Sequence, residues 1–206
     1  MWIWIISAAA AIAIVLLAIQ IIGTLLIGRK SLYSKPAGSV SAGVFYALGQ
    51  GMLPWEKESA SEHLPTYLGG VVYHFGILAS LIVLIESLAE FHNSQLVEIL
   101  LRVALASGVI AGIGLLLKRI VVAHMRAISD SDDFVSNGLV TISMALALMT
   151  TFDAGFRTAW YAFTTSLLLY IPFGKIRHCV FFFYSRFLFG EFFGRRGILP
   201  HKVTQS

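Results

Sequence analysis

The sequence predicts an all-α integral membrane protein, a five-transmembrane-helix bundle with its N-terminus outside and its C-terminus cytoplasmic. Three observations predict it. Of 206 residues, 57% are hydrophobic and 13% charged, with a mean hydropathy of +0.81. A soluble domain carries about 25% charged residues, so the expected solvent is a bilayer. Five apolar runs each approach or exceed the roughly 20 residues that cross the hydrocarbon core. Thirteen of the fifteen Lys and Arg residues fall in three segments that share one side of a five-pass chain, and the positive-inside rule makes that side cytoplasmic.

The first run, WIWIISAAAAIAIVLLAIQIIGTLLIG over 2–28, carries no charge. A signal peptide would need a basic start and an apolar core of about 7–15 residues, so a membrane helix is the better reading. The second helix is placed at 66–90 and opens TYLGGVVYHFGILASLIVLI. The third covers 97–120, interrupted by Arg102 and closed by Lys118 and Arg119. The fourth covers 134–155, with Ser131, Asp132 and Asp133 offered as its N-cap and first-turn residues. The fifth is read as one continuous helix over 158–185, followed by a cytoplasmic interfacial tail, 186–206.

The orienting cations follow in three groups. Arg29, Lys30, Lys35 and Lys57 come after the first helix; Lys118, Arg119 and Arg126 after the third. Lys175, Arg177, Arg186, Arg195, Arg196 and Lys202 lie at or after the end of the fifth. The longest connection, 29–65, contains Pro36, Gly38, Gly43, Pro54 and Pro65 and is expected to hold a short interfacial helix near VFYALGQGM. With no internal repeat or low-complexity tract, 1–206 reads as a single membrane domain.

One cysteine, Cys179, excludes an intramolecular disulfide, a thiolate iron–sulfur cluster and a cysteine-rich zinc site within the chain. No Walker loop, dinucleotide fingerprint or basic arm is present, which sets nucleotide and nucleic-acid chemistry aside.

Of six histidines, His63, His92, His124 and His201 fall in polar loops or the tail. His74 and His178 instead lie within or at the edge of apolar runs. His74 is eight residues, roughly 12 Å, above the cytoplasmic start of its helix at Thr66, and His178 lies eight residues before Arg186. With Lys175 and Arg177 snorkelling, both imidazoles belong to the cytoplasmic half of the bilayer and can face each other. Gly70 precedes His74 by four residues, as Gly174 precedes His178. In a helix that position lies beside the side chain on the same face, where glycine leaves room for a flat group. A haem macrocycle between two axial imidazoles needs such room. The alternative is two unrelated histidines bonded to neighbouring helices, with glycines that permit close packing.

Three segments carry a family resemblance: YHFGILASLIVLIESL, SDDFVSNGLVTISMALALMT and, most specifically, IPFGKIRHCVFFF. Together they resemble the cytochrome b (gamma) subunit of respiratory nitrate reductase and its relatives in heterodisulfide reductase and dissimilatory sulfite-reduction complexes. The resemblance covers the second to fifth helices and implies the five-helix topology with an external N-terminus. In that family, four histidines on the second and fifth helices hold two b haems, and electrons pass between quinol and a cytoplasmic partner. His74 and His178 match the pair nearer the cytoplasm. The outer pair is expected about ten residues after His74 and eighteen before His178, where this chain has Leu84 and Trp160. The resemblance therefore implies one haem b, with His63 a poor substitute ligand because Pro65 intervenes.

A bis-histidine iron has no open position, so electron transfer is its task. The expected function is a haem-b membrane subunit in the cytoplasmic (inner) membrane. It would carry electrons between menaquinone or ubiquinone and a cytoplasmic iron–sulfur or flavin subunit. Arg177, Lys175 and Arg119 are candidate propionate partners. The aromatic tail is either docking surface or lipid anchor. Glu86 and Arg102, at comparable distances from the loop joining the second and third helices, are expected to form an outer ion pair, with proton handling for an outer quinone site as the alternative. A haem-free anchor for a redox complex is the rival reading; a transporter is disfavoured by five unrepeated helices with few polar groups.

Overall fold

The structure, a computed structural model, describes residues 1–28, 35–91 and 93–200, with the backbone alone at 58 and 59. Arg29, Lys30, His92, His201 and Lys202 therefore lie outside the described residues. Those described are helical, with no strand: α1 Trp2–Gly28, α2 Val40–Leu48, α3 Glu58–Glu62, α4 Leu64–Ala89, α5 Gln95–Val121, α6 Ala123–Ala127, α7 Ser131–Thr150, α8 Arg157–Tyr170 and α9 His178–Arg195. By length and composition α1, α4, α5 and α7 can each cross a membrane, and a broken pair, Ala154–Tyr170 with Lys175–Arg195, makes up to five crossings. This fits a multi-pass membrane protein.

The expected fifth helix is not continuous. Pro172 has no N–H to extend α8, and the next two amides, of Phe173 and Gly174, both turn back to the Tyr170 carbonyl at 3.0 and 3.1 Å. A 3₁₀ turn over Lys175–Arg177 follows, and α9 begins at His178. It continues to Arg195, so much of the stretch read as a tail is helix.

Two compact units divide the chain: residues 1–16 with 65–176, and 17–64 with the chain from Arg177 onward. In the first, Leu105, Met144, Ala147 and Trp160 are nearly inaccessible and share one apolar cluster with Ile6, Tyr73 and Tyr161. The helices α4 and α5 approach at Gly76 and Gly108, where an added Cβ would stand 2.7 Å from the opposite Cα, and the Met144 thioether closes the remaining gap. Buried hydroxyls are satisfied nearby. Tyr73 donates to the Asn137 carbonyl at 3.2 Å, and the Ser87 and Tyr161 hydroxyls meet at 2.5 Å.

The fourth span begins with Asp130 as N-cap, one residue earlier than the expected Ser131. Its carboxylate accepts the Asp132 and Asp133 amides at 2.9 and 3.2 Å, and Asp133 accepts the Asp130 amide in return, a complete capping box. The same aspartates tether the break after α8. Asp132 accepts the Lys175 amide at 2.5 Å and the Tyr170 hydroxyl, while the Lys175 ammonium lies 2.7 Å from Asp133 and 2.9 Å from Asp130.

In the second unit the expected interfacial helix is present as α2, capped by Ser39. It lies along α9 with backbones in contact. A Cβ at Gly190 would stand 2.5 Å from the Val44 Cα, and one at Gly194 would stand 2.6 Å from the Ser39 carbonyl. Arg186, one turn before Gly190, donates twice to the Ala47 carbonyl, at 2.9 and 2.7 Å, satisfying the C-terminal end of α2.

Candidate functional site

His74 lies on α4 beside its core stripe. Tyr73, Gly76, Ala79 and Val83 turn inward and are buried, whereas His74 is exposed on the flank. Its Nδ1 is 2.7 Å from the Gly70 carbonyl one turn back. A carbonyl can only accept, so Nδ1 carries the proton of this hydrogen bond. Metal-ligating histidines commonly have this arrangement, with the second nitrogen bonded to a carbonyl or carboxylate. A Cβ at Gly70 would meet no atom within 4 Å, so there is open space beside Gly70 itself.

His178 belongs to the other unit and opens α9 rather than standing inside a longer helix. Gly174 is consequently not one turn behind it on the same helix face. It sits in the break, where an added Cβ would run into the Tyr170 ring and stand 2.6 Å from its hydroxyl. Gly174 serves the chain reversal rather than leaving open space, which corrects its expected part in a cradle. Beside His178, Arg177 lines a groove of about 750 Å³ together with Gln20, Gly23, Thr24, Ile27 and Phe181, all in the second unit. The sequence reading did not include the α1 side of this groove. Its signal was present, because Gln20, Gly23 and Thr24 recur at helical spacing in an otherwise apolar run.

Among the three candidate propionate partners, the contacts discriminate. Lys175 is held by Asp130 and Asp133, and Arg119 lies 3.3 Å from Asp133 and 2.9 Å from the Ser129 hydroxyl. Among the described residues Arg177 has no carboxylate partner, and it faces the groove. The Lys175 ammonium, hydrogen-bonded to Asp130, holds that carboxyl below the usual carboxylate range, reinforced by the Asp133 and Asp132 amides.

The expected Glu86–Arg102 pair does not form. Arg102 instead reaches Glu98, one turn back on its own helix, at 3.6 Å, donates to the Thr151 carbonyl at 2.7 Å and stacks over Phe152. Leu84 and Trp160 are both packed in the first unit's core. His63 closes α3 immediately before α4, and Cys179 is an exposed free thiol. The described residues contain no group of three or more His, Cys, Asp or Glu placed to hold a metal ion. Comparison of the chain with protein-family models, curated proteins and solved structures finds no match.

Proposed function

We propose that this chain is the haem-b membrane subunit of a respiratory redox complex, with His74 and His178 as the axial ligands of one haem b. The observation that carries the reading is the His74 ring itself. Its Nδ1–H is committed to the Gly70 carbonyl, and a Cβ at Gly70, one turn back, would meet no atom within 4 Å. Arg177 supports the reading from the other unit, as a cation in a groove of about 750 Å³, within the range that cofactors occupy. The residue types suit such a group: each unit would offer one imidazole to the iron, and Arg177 would offer a positive charge to a carboxylate. Held by two imidazoles, such a haem would supply one-electron exchange rather than substrate chemistry at the metal.

The chain's own residues then orient, neutralise and exclude. The Gly70 carbonyl holds the His74 tautomer, Arg177 balances carboxylate charge, and the apolar spans keep water away. The same reading places the N-terminus outside, the C-terminus in the cytoplasm and the chain in the cytoplasmic membrane, from the distribution of Lys and Arg. Electrons would pass between menaquinone or ubiquinone and a cytoplasmic iron–sulfur or flavin subunit. With Leu84 and Trp160 at the outer positions, the exchange belongs to the cytoplasmic half.

One observation favours the second reading, a haem-free anchor that docks a redox complex: the Tyr170 ring takes the space beside Gly174. The reduced-minus-oxidised spectrum of the purified protein separates the two. A b-type spectrum that disappears in His74→Ala and His178→Ala, with thermal unfolding unchanged, is the expected result. No b-type signal from the wild-type complex, or one indifferent to both substitutions, overturns the proposal.

A further inference from the structure

A groove of about 330 Å³ runs along the first unit between the start of α4 and the end of α5. Small residues keep it open. A Cβ at Gly114 would meet nothing within 4 Å, and one at Gly69 only the Leu115 side chain at 3.7 Å. Pro65, Ala111 and Leu115 make its remaining walls apolar. A single cation, Lys118, stands at its end in the last turn of α5, and its ammonium donates to the Thr66 hydroxyl. An ammonium has three donors, and Thr66 takes one. The next residue, Arg119, is engaged by Asp133, whereas among the described residues Lys118 has no carboxylate partner.

We infer that this groove holds one anionic phospholipid, its phosphate on Lys118 and Thr66 and an acyl chain along Gly69, Ala111 and Gly114. Charge complementarity selects the occupant. Both helices are long and apolar enough to span a membrane, so a cation in the last turn of one belongs at headgroup depth, and the apolar trough continues from it towards the bilayer centre. A soluble anion would use the lysine and leave the trough without a purpose. A zwitterionic lipid would use the trough but bring its own cation against the lysine. A lipid with a net negative headgroup satisfies both. The inference is independent of the haem proposal, because neither groove wall includes His74, His178 or Arg177.

The test counts lipids on the intact chain. Protein purified in mild detergent and stripped of lipid is titrated with phosphatidylglycerol and with phosphatidylcholine, and bound lipid is read by native mass spectrometry. One phosphatidylglycerol per chain is expected to bind in preference to phosphatidylcholine. Lys118→Gln should reduce that preference about five-fold, in keeping with one basic residue at a membrane surface. Gly114→Leu should abolish retention of either lipid, because its Cβ enters open space and the side chain beyond it occupies the trough. Gly138→Leu, which also enters open space but lies on α7, should change nothing. Equal retention of the two lipids by the wild type, or retention indifferent to both groove substitutions, overturns the inference. Displacement by inorganic phosphate with Gly114→Leu unaffected would assign a soluble-anion site instead.

Discussion

In the first unit the close approach of α4 and α5 at Gly76 and Gly108 is sealed by a side chain, Met144 of α7. In the second, α2 and α9 meet glycine against backbone, and a guanidinium, Arg186, closes the end of α2. Both regions set glycine against backbone, but only the first also has a side chain, Met144, in the gap. Where a flexible thioether fills the gap, packing can adjust by rotating a bond. Where only carbonyls, amides and Cα atoms line the contact, as at Gly190, nothing can rotate away. The second unit is therefore the less forgiving one, although few of its large apolar residues are buried.

The largest effect that can break this comparison comes from Gly190→Leu. Its side chain would enter the Val44 backbone, so the cost should exceed the about 1–3 kcal/mol usual for overpacking. Limited proteolysis of the detergent-solubilised protein should show cleavage within 35–57 while the first unit stays protected. Protection equal to wild type would mean that the two regions do not differ as described. A smaller effect is expected from Met144→Ala, which removes the plug between α4 and α5. A loss of about 2–4 kcal/mol is in the range for a buried methionine, visible as a lower thermal midpoint with a single transition retained. Should α4 and α5 close the void, the loss would fall well below that range, and the first unit would prove more adaptable still.

The smallest effect concerns pH and the aspartates that tether the break after α8. The folded state lowers the Asp130 pKa, chiefly through Lys175. A carboxyl with a lowered folded pKa contributes its stability fully above its unfolded pKa, about 3.9, and loses it as pH falls through the folded value. Thermal stability measured from pH 7 down to pH 3 should thus decline on the acid side, and Asp130→Asn should flatten that decline while leaving the neutral region nearly level. An unaltered acid limb in the variant would remove Asp130 from the account.

Some elements were legible because hydropathy reports on solvent. The run 2–28 is α1 almost residue for residue, and the second, third and fourth runs became α4, α5 and α7 within a few residues. The short helix near VFYALGQGM was legible from its composition between prolines. The break in the fifth helix was less so. Pro172 and Gly174 were both visible, but an apolar run continues on either side, and proline in a membrane helix often kinks it without ending it. The Asp132–Lys175 tether that holds the reversal joins residues 43 apart, a pairing no local pattern announces. The site was legible in the same uneven way. Gly70 and His74 follow from i−4 spacing in an unbroken helix. The corresponding spacing of Gly174 and His178 lost its meaning once the chain turned between them.

What the sequence determined alone was the solvent: enough apolar length for several crossings, no cysteine pair, and cations gathered in three segments. Those are sums over residues, and hydration free energy is close to additive. What only the tertiary structure decided was which cation faces which acid, which glycine admits a neighbour and which leaves space. Lys175 and Arg119 went to aspartates while Arg177 lines a groove, and Gly70 stays open while Gly174 receives a tyrosine ring. Contacts of this kind depend on distances between residues far apart in the chain, and ångström differences in backbone position reverse their sign.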